Sequence, residues 1–255
     1  MRFAWADWCM SVYRKFIAIT LLLLTFPYSV KAQNTKFASY SISKYKMYDI
    51  YQGHKETFYC KATFDNKRNI FLPKGMSVPN QYKNRYLMEW EHIVPAENFG
   101  RTFVEWREGK KLCEDKSNRE CARSLSAEFN QMEADMYNLY PSIGFINAMR
   151  SNFNFSELSR EIPNSVQGCD FKVDVSDRKV QPAEYTKGVI ARTYFYMADA
   201  YPRFKINKSM KKLLPIWDKE HPVDEWECKR AKRIEAIQGN PNKFVKEPCI
   251  DRGLW

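Results

Sequence analysis

Six cysteines behind an apolar leader constrain this chain more than any other feature. Phe16 to Phe26 (FIAITLLLLTF) is an apolar run of 11 residues, preceded by Arg14 and Lys15. Such a run is too short to span a bilayer as a helix but fits the hydrophobic region of an export signal. Val30-Lys31-Ala32 satisfies the small-residue rule for signal-peptidase cleavage. Residues 1–32 are therefore expected to be a signal peptide, and residues 33–255 the mature protein, starting at Gln33. An N-terminal membrane anchor is the alternative for this segment. No other stretch is apolar enough to cross a membrane, so no membrane association is expected of the mature form. Cys9 leaves with the signal, while Cys60, Cys113, Cys121, Cys169, Cys228 and Cys249 remain. Six cysteines in an exported chain point to three disulfides. No C-x-x-C pair occurs, so neither a zinc ribbon nor a thioredoxin-like redox site is indicated.

The mature length suits one sizeable domain. The full chain has 41 Lys and Arg against 30 Asp and Glu, a net +11. The first 32 residues carry Arg2, Arg14, Lys15 and Lys31 against Asp7, which leaves the remainder at about +8. Aromatic residues make up 15% of the chain. Phosphates attract Lys and Arg, and bases stack on rings, so this balance suits a polyanion partner. Basic exported proteins that bind no nucleic acid share the same balance, so composition alone does not decide.

Several segments have readable periodicity. Ser41 to Phe58 begins with helical spacing and ends in aromatics. Arg85 to Val94 (RYLMEWEHIV) alternates bulky apolar with polar residues and is expected to be a strand ended by Pro95. Gly100 to Arg123 is charged and holds Cys113 and Cys121, the composition of a stapled loop. Ser126 is an expected N-cap for a helix running to Leu139. Pro141 and Gly144 break the chain before a second helical stretch within Phe145 to Phe155. Ala183 to Ala200 is a helix whose Gly188 suggests close packing. Lys211 to Asp218 and Glu225 to Gln238 are further helices, the latter ended by Gly239. The fold class is α+β, mostly helical with a small sheet in a single domain.

Histidine is scarce. Of His54, His92 and His221, only His92 lies between carboxylates, in E-W-E-H-I-V-P-A. Phosphodiester hydrolysis needs an activated water, charge stabilisation on the phosphorane and help for the leaving oxygen. A neutral imidazole suits the base, and a hard divalent cation prefers carboxylate and amide oxygens. Glu91 and His92 offer one group of each kind. In a regular strand, however, adjacent side chains point to opposite faces. The pair can serve one phosphate only if the strand ends or bends there, which Pro95 favours. A structural role for the pair is the alternative on spacing alone.

The run E-W-E-H-I-V-P-A closely resembles the E-W-E-H-V-V-P-A signature of the bacterial endonuclease I family. T-F-Y-C at 57–60, F-N-Q-M-E-A-D-M-Y-N-L at 129–139 and G-F-I-N-A-M-R-S-N at 144–152 also resemble family segments. So do I-A-R-T-Y-F-Y-M at 190–197 and D-E-W-E-C-K-R-A-K-R-I at 224–234. The resemblance runs in order from about Tyr48 to Cys249. It implies a ββα-metal nuclease core and an exported, periplasmic or extracellular enzyme. That enzyme would cut DNA, and RNA as well, without sequence specificity, acting as a monomer with Mg²⁺, or with Ca²⁺ or Mn²⁺. Carried over, His92 is the general base, and Glu91 and Asn147 bind the metal. Glu133 assists through the metal's water shell or acts as the acid. Arg119 is nearest the family's phosphate-holding arginine, one place out of register, and so counts as both catalytic and nucleic-acid-binding. Arg123 and Arg150 complete the expected phosphate contacts. A helix cap for Asn147 and a solvated helix face for Glu133 are the alternatives without the family. Cys113 and Cys121 fall in the family's cysteine loop and are expected to pair, with Cys228–Cys249 and Cys60–Cys169 as the other bridges. The chain departs from the pattern at Phe145, where the family has glutamate, and at Tyr137, where it has histidine. It also has six mature cysteines where many members have eight. A secreted basic DNA-binding protein without catalysis is the rival reading.

Overall fold

The structure is a computed structural model that describes residues 33–255; the apolar leader and its cleavage site lie outside the described residues. Among those residues, no helix is long and apolar enough to cross a membrane. The fold is α+β, with small sheets set among helices.

Helix α1 (Tyr40–Ile50) starts where the Ser39 side chain accepts from the Ile42 amide, and it buries Met47 and Ile50. Strands β1 (Thr63–Phe64) and β2 (Ile70–Phe71) form a short hairpin. Strand β3 (Met88–His92) pairs antiparallel with β4 (Leu139–Ile143), in a register that sets Trp90 opposite Pro141 and His92 opposite Leu139. Helix α7 (Gly144–Arg150) follows β4 at once, so β3, β4 and α7 form a strand–strand–helix unit.

Between β3 and β4 run five short helices: α2 (Ala96–Gly100), α3 (Val104–Arg107), α4 (Gly109–Leu112), α5 (Asn118–Leu125) and α6 (Ala127–Glu133). The stapled loop expected over 100–123 is thus largely helical. Helices of four or five residues carry no periodicity and persist only through tertiary contacts. Here those contacts are the buried Phe99, Phe103, Cys121 and Ala122, the Cys113–Cys121 bridge, and a capping box joining Ser117 and Glu120. Ser126 caps α6, but that helix ends at Glu133, well short of Leu139. Asp135 ends it. Its buried carboxylate accepts from the Tyr137 amide, the Tyr196 and Tyr201 hydroxyls and the Gln238 amide, and so holds the turn at Met136–Asn138.

Strands β5 (Asn154–Phe155), β6 (Lys172–Asp174) and β7 (Lys179–Gln181) form a second small sheet. The C-terminal half packs α8 (Glu184–Ala200), α9 (Lys208–Glu220), α10 (Glu225–Gln238) and α11 (Lys243–Asp251) against the strand unit. Gly188 on α8 permits that packing, since a Cβ there would lie 2.0 Å from the His221 carbonyl oxygen. Gly239 ends α10 at φ +92°, a left-handed conformation glycine adopts without strain. Buried Arg230 on α10 donates to the Tyr51 and Tyr140 hydroxyls and to the Met136 and Leu139 carbonyls, tying α10 to the start of β4. Disulfides join Cys60 to Cys169, Cys113 to Cys121 and Cys228 to Cys249.

Candidate active site

An open cleft of about 300 Å³ lies at the end of β3, bordered by Glu91, His92, Arg119, Asn147 and Tyr40 among others. The strand ends at His92, and the chain turns immediately after it. Asn138 fixes that turn by accepting from the Val94 amide and donating to the Val94 carbonyl. Glu91 and His92 keep different neighbours, as strand alternation requires, yet both reach the cleft because the strand stops there.

His92 is buried. Its ring packs 4.9 Å from Tyr40 and 6.4 Å from Phe99. Its Nε2 lies 2.9 Å from the Glu133 carbonyl oxygen. A carbonyl can only accept, so Nε2 carries the proton and Nδ1 presents a lone pair. Burial, reinforced by the Arg119 charge, pushes the imidazole down to about 4, so it is neutral at working pH. A neutral ring with a fixed tautomer can take a proton at Nδ1.

Glu91 is equally buried. Tyr59 donates its hydroxyl to Oε1 at 2.9 Å, and Arg150 Nε lies 3.4 Å from the same oxygen. Among the described residues Oε2 is buried without a hydrogen bond of ordinary geometry, although the Ser142 hydroxyl also helps to hold the carboxylate. Burial pushes this carboxyl up to about 7, against the opposing pull of Arg150 and Tyr59. Asn147, on the inner turn of α7, donates Nδ2–H to Glu89 at 2.7 Å, which assigns the amide and leaves its Oδ1 as an acceptor. Among the described residues no group of three or more His, Cys, Asp or Glu is arranged to hold a metal ion. A buried carboxylate oxygen and an amide oxygen on one cleft are instead the donor set of a hard cation that keeps most of its water. The residues present fit such an ion.

Arg119 and Arg123 lie one turn apart on α5, and both point their guanidinium groups at Glu133. Arg119 Nε donates to Oε1 at 2.5 Å, while Arg123 Nε donates to Oε2 at 2.6 Å and Nη2 to Oε1 at 2.8 Å. Both guanidinium groups also sit within 6 Å of the Tyr40 ring. Each side chain remains more than a third exposed, and Arg119 borders the cleft. Among the described residues no hydrogen bond engages its remaining N–H groups, which can receive an anion.

Two expected site residues are engaged by neighbouring groups. Burial alone would raise the Glu133 carboxyl, but Arg123 and Arg119 outweigh it and hold the group below the ordinary carboxylate range. The carboxylate is thus ionised and shared by two arginines. Glu133 anchors the arginines with its side chain and His92 with its carbonyl. Arg150 was expected to touch phosphate but is 1% exposed. Its guanidinium donates to the His92 and Ile93 carbonyls beside its ion pair with Glu91, although the residue also lines the cleft. It locks α7 to the end of β3.

Sequence reasoning missed Tyr59, Tyr40 and Asn138. Tyr59 lies in the T-F-Y-C segment and Asn138 in Y-N-L, so both were inside recognised motifs. Tyr40 precedes them all, and nothing in its spacing marked it. The departures are absorbed structurally. Phe145 is buried and stacks near Tyr82, while Tyr137 donates its hydroxyl to the Asn240 carbonyl at 3.0 Å within the core.

A strand end presenting a neutral imidazole, a following helix presenting an amide oxygen, and an arginine at the rim form a strand–strand–helix site of the kind that suits phosphodiester hydrolysis. Comparison with known proteins narrows this. The family model described as Endonuclease I matches residues 27–249. A protein named periplasmic deoxyribonuclease, from Aeromonas hydrophila, is 36% identical over 238 residues, covering 91% of this chain and 94% of its own. A second from the same organism, named extracellular deoxyribonuclease, is 34% identical and covers 93% of this chain and 100% of its own. A protein named Endonuclease-1, from Buchnera aphidicola subsp. Acyrthosiphon pisum, is 35% identical over 80% of this chain and 78% of its own. The chain belongs to the Endonuclease I family and is a nuclease.

Proposed function

We propose that this protein is an exported, Mg²⁺-dependent endonuclease that hydrolyses phosphodiester bonds in DNA, and in RNA, without sequence specificity. The single observation that carries the proposal is His92. It is buried and neutral, with Nε2–H tied to the Glu133 carbonyl and Nδ1 left to the cleft. In the proposed reaction His92 Nδ1 takes a proton from the attacking water as that water's oxygen bonds to phosphorus and the bond from phosphorus to the leaving sugar oxygen breaks, the leaving oxygen taking its proton from solvent water. Arg119 donates to a nonbridging phosphate oxygen and stabilises its growing charge. Glu91 and Asn147 would hold the divalent cation, which supplies positive charge to the phosphate and its leaving oxygen. Mg²⁺ is the natural occupant of a two-donor oxygen site, with Ca²⁺ or Mn²⁺ as substitutes.

Lack of sequence specificity follows from the donor set. The groups at the cleft meet phosphate, which is the same at every base, and phosphate contacts position a strand without reading it. The same groups would meet an RNA backbone. Export is supported by the leader expected over residues 1–32 and by three disulfides, which persist mainly in an oxidising compartment. Supercoiled plasmid incubated with the purified mature chain tests the reading. Nicking and linearisation should require Mg²⁺ and stop in EDTA. Binding without cutting in either buffer would favour the rival, a basic DNA-binding protein.

A further inference from the structure

Beside the cleft lie two more open cavities, and the three share walls. The cleft shares Tyr40, Trp90, Arg119 and Asn147 with a cavity of about 540 Å³. That cavity shares Tyr45, Tyr48 and Arg68 with a third of about 730 Å³, which runs on to Lys55, Asn66 and Lys67. One groove therefore leads from the proposed scissile phosphate along α1 to the β1–β2 hairpin turn. Helix α1 has 11 residues and is about 16 Å long at 1.5 Å per residue. A groove of that length can hold several nucleotides of one strand.

The chemistry of this groove is one-sided. Lys44, Lys55, Lys67 and Arg68 line it, and none of their side chains forms an ion pair among the described residues; its carboxylates are Asp49, already beside Lys46, and Glu89, bonded to Asn147. Lys44 feels the crowding, since burial and the neighbouring Arg123, Arg68 and Arg119 charges hold its ammonium below the ordinary lysine range. Cations that outnumber the carboxylates beside them and form no ion pair among the described residues are arranged for an anion from outside the chain. The aromatic component is equally distinctive. Tyr45 is 70% exposed, beside the half-buried Tyr48. A large ring left in water within a basic groove contributes nothing to the core.

We infer that the groove along α1 is an accessory subsite for the unpaired strand flanking the cut, with Lys67 and Arg68 taking its phosphates and Tyr45 stacking on a base. Stacking needs an exposed base face, which a single strand offers and a duplex interior does not. The subsite makes the enzyme favour single-stranded segments that extend several nucleotides to one side of the cleaved bond. It rests on the nuclease reading above and adds a length and strandedness preference that the cleft alone does not impose.

Steady-state cleavage of a single-stranded tetranucleotide, a single-stranded 20-mer and the matching duplex tests this. Lys67→Ala/Arg68→Ala should raise KM for the 20-mer about tenfold and leave the tetranucleotide unchanged. The double variant should also lower the slope of log KM against log salt on the 20-mer by roughly 1.4, or 0.7 per lost phosphate contact. Tyr45→Ala should raise KM for the single-stranded 20-mer severalfold but not for the duplex, a split that a merely destabilised fold would not produce. Unchanged KM on the 20-mer in both variants, or an equal effect on the tetranucleotide, overturns the subsite while wild-type cleavage leaves the nuclease reading standing. Equal weakening by Tyr45→Ala on single strand and duplex overturns the stacking assignment. Absence of cleavage by the wild type overturns both readings.

Discussion

Replacing Arg150 with methionine removes the clamp at the cleft and leaves Glu91 in place. Arg150 is buried, pairs with an equally buried carboxylate, and donates to the two carbonyls that end β3. Removing one partner of such a pair costs about 3–5 kcal/mol, because the remaining charge is stranded in low dielectric. The orphaned His92 and Ile93 carbonyls push the cost toward the upper end. At about 2–4 °C per kcal/mol for a domain of this size, the midpoint should drop by about 6–20 °C. Thermal and urea unfolding of Arg150→Met, followed by tryptophan fluorescence in EDTA at pH 8, measure the midpoint drop and the free-energy loss respectively. The loss should shrink as the pH falls, since removing Arg150 takes away the charge that lowers the Glu91 pKa, and a protonated carboxyl is no longer a stranded charge. Glu91→Gln/Arg150→Met should be more stable than the sum of the single losses implies, by more than about 1 kcal/mol. A single-variant loss under about 1 kcal/mol, or strict additivity in the double variant, would refute the clamp.

Three further outcomes follow from the site. The Glu91 carboxyl is raised to about 7, so protons and cation compete for it. Mg²⁺ affinity should fall up to tenfold per pH unit below 7, calorimetry should find it lost in Glu91→Ala and Asn147→Ala, and a pH-independent affinity would exclude Glu91 as a ligand. Arg119→Ala should lower kcat about 10²–10³-fold with a smaller change in KM, since its remaining N–H groups meet charge that develops in the transition state; a change confined to KM would assign it to ground-state binding. Cys113→Ser/Cys121→Ser opens a short loop, a loss of about 2–3 kcal/mol by loop entropy, and should loosen α5 with its two arginines. Its activity should therefore fall more than its midpoint, and unchanged activity in a folded variant would detach the loop from catalysis.

How much of this was legible in the sequence depends on whether the signal was local. Helix α10 was read to the residue because its cap, its length and Gly239 are all in the chain itself. Strand β3 was read from its alternation. Strand β4 was not, because Pro141 looks like a breaker. In a two-stranded ribbon each strand is an edge, and a proline without an amide hydrogen sits there at little cost. The helices between β3 and β4 were read as loop because segments this short are held by Phe99, Phe103 and a disulfide rather than by their own pattern. At the site, residue types pointed to His92 and the resemblance to Asn147. Depth did not show. Nothing in the sequence distinguishes Arg150, buried and paired, from Arg119, half-exposed at the rim. That difference arises from α7 folding back onto β3.

The most direct test of the central claim is single-turnover cleavage by His92→Ala in Mg²⁺, beside DNA affinity measured in Ca²⁺. Loss of the imidazole that takes the water's proton should slow cleavage by about 10²–10⁴-fold. The affinity should stay within about twofold of wild type, because His92 is buried and neutral and contributes no charge to phosphate binding. A variant that cuts at more than about a tenth of the wild-type rate would contradict the assignment of His92 as the base.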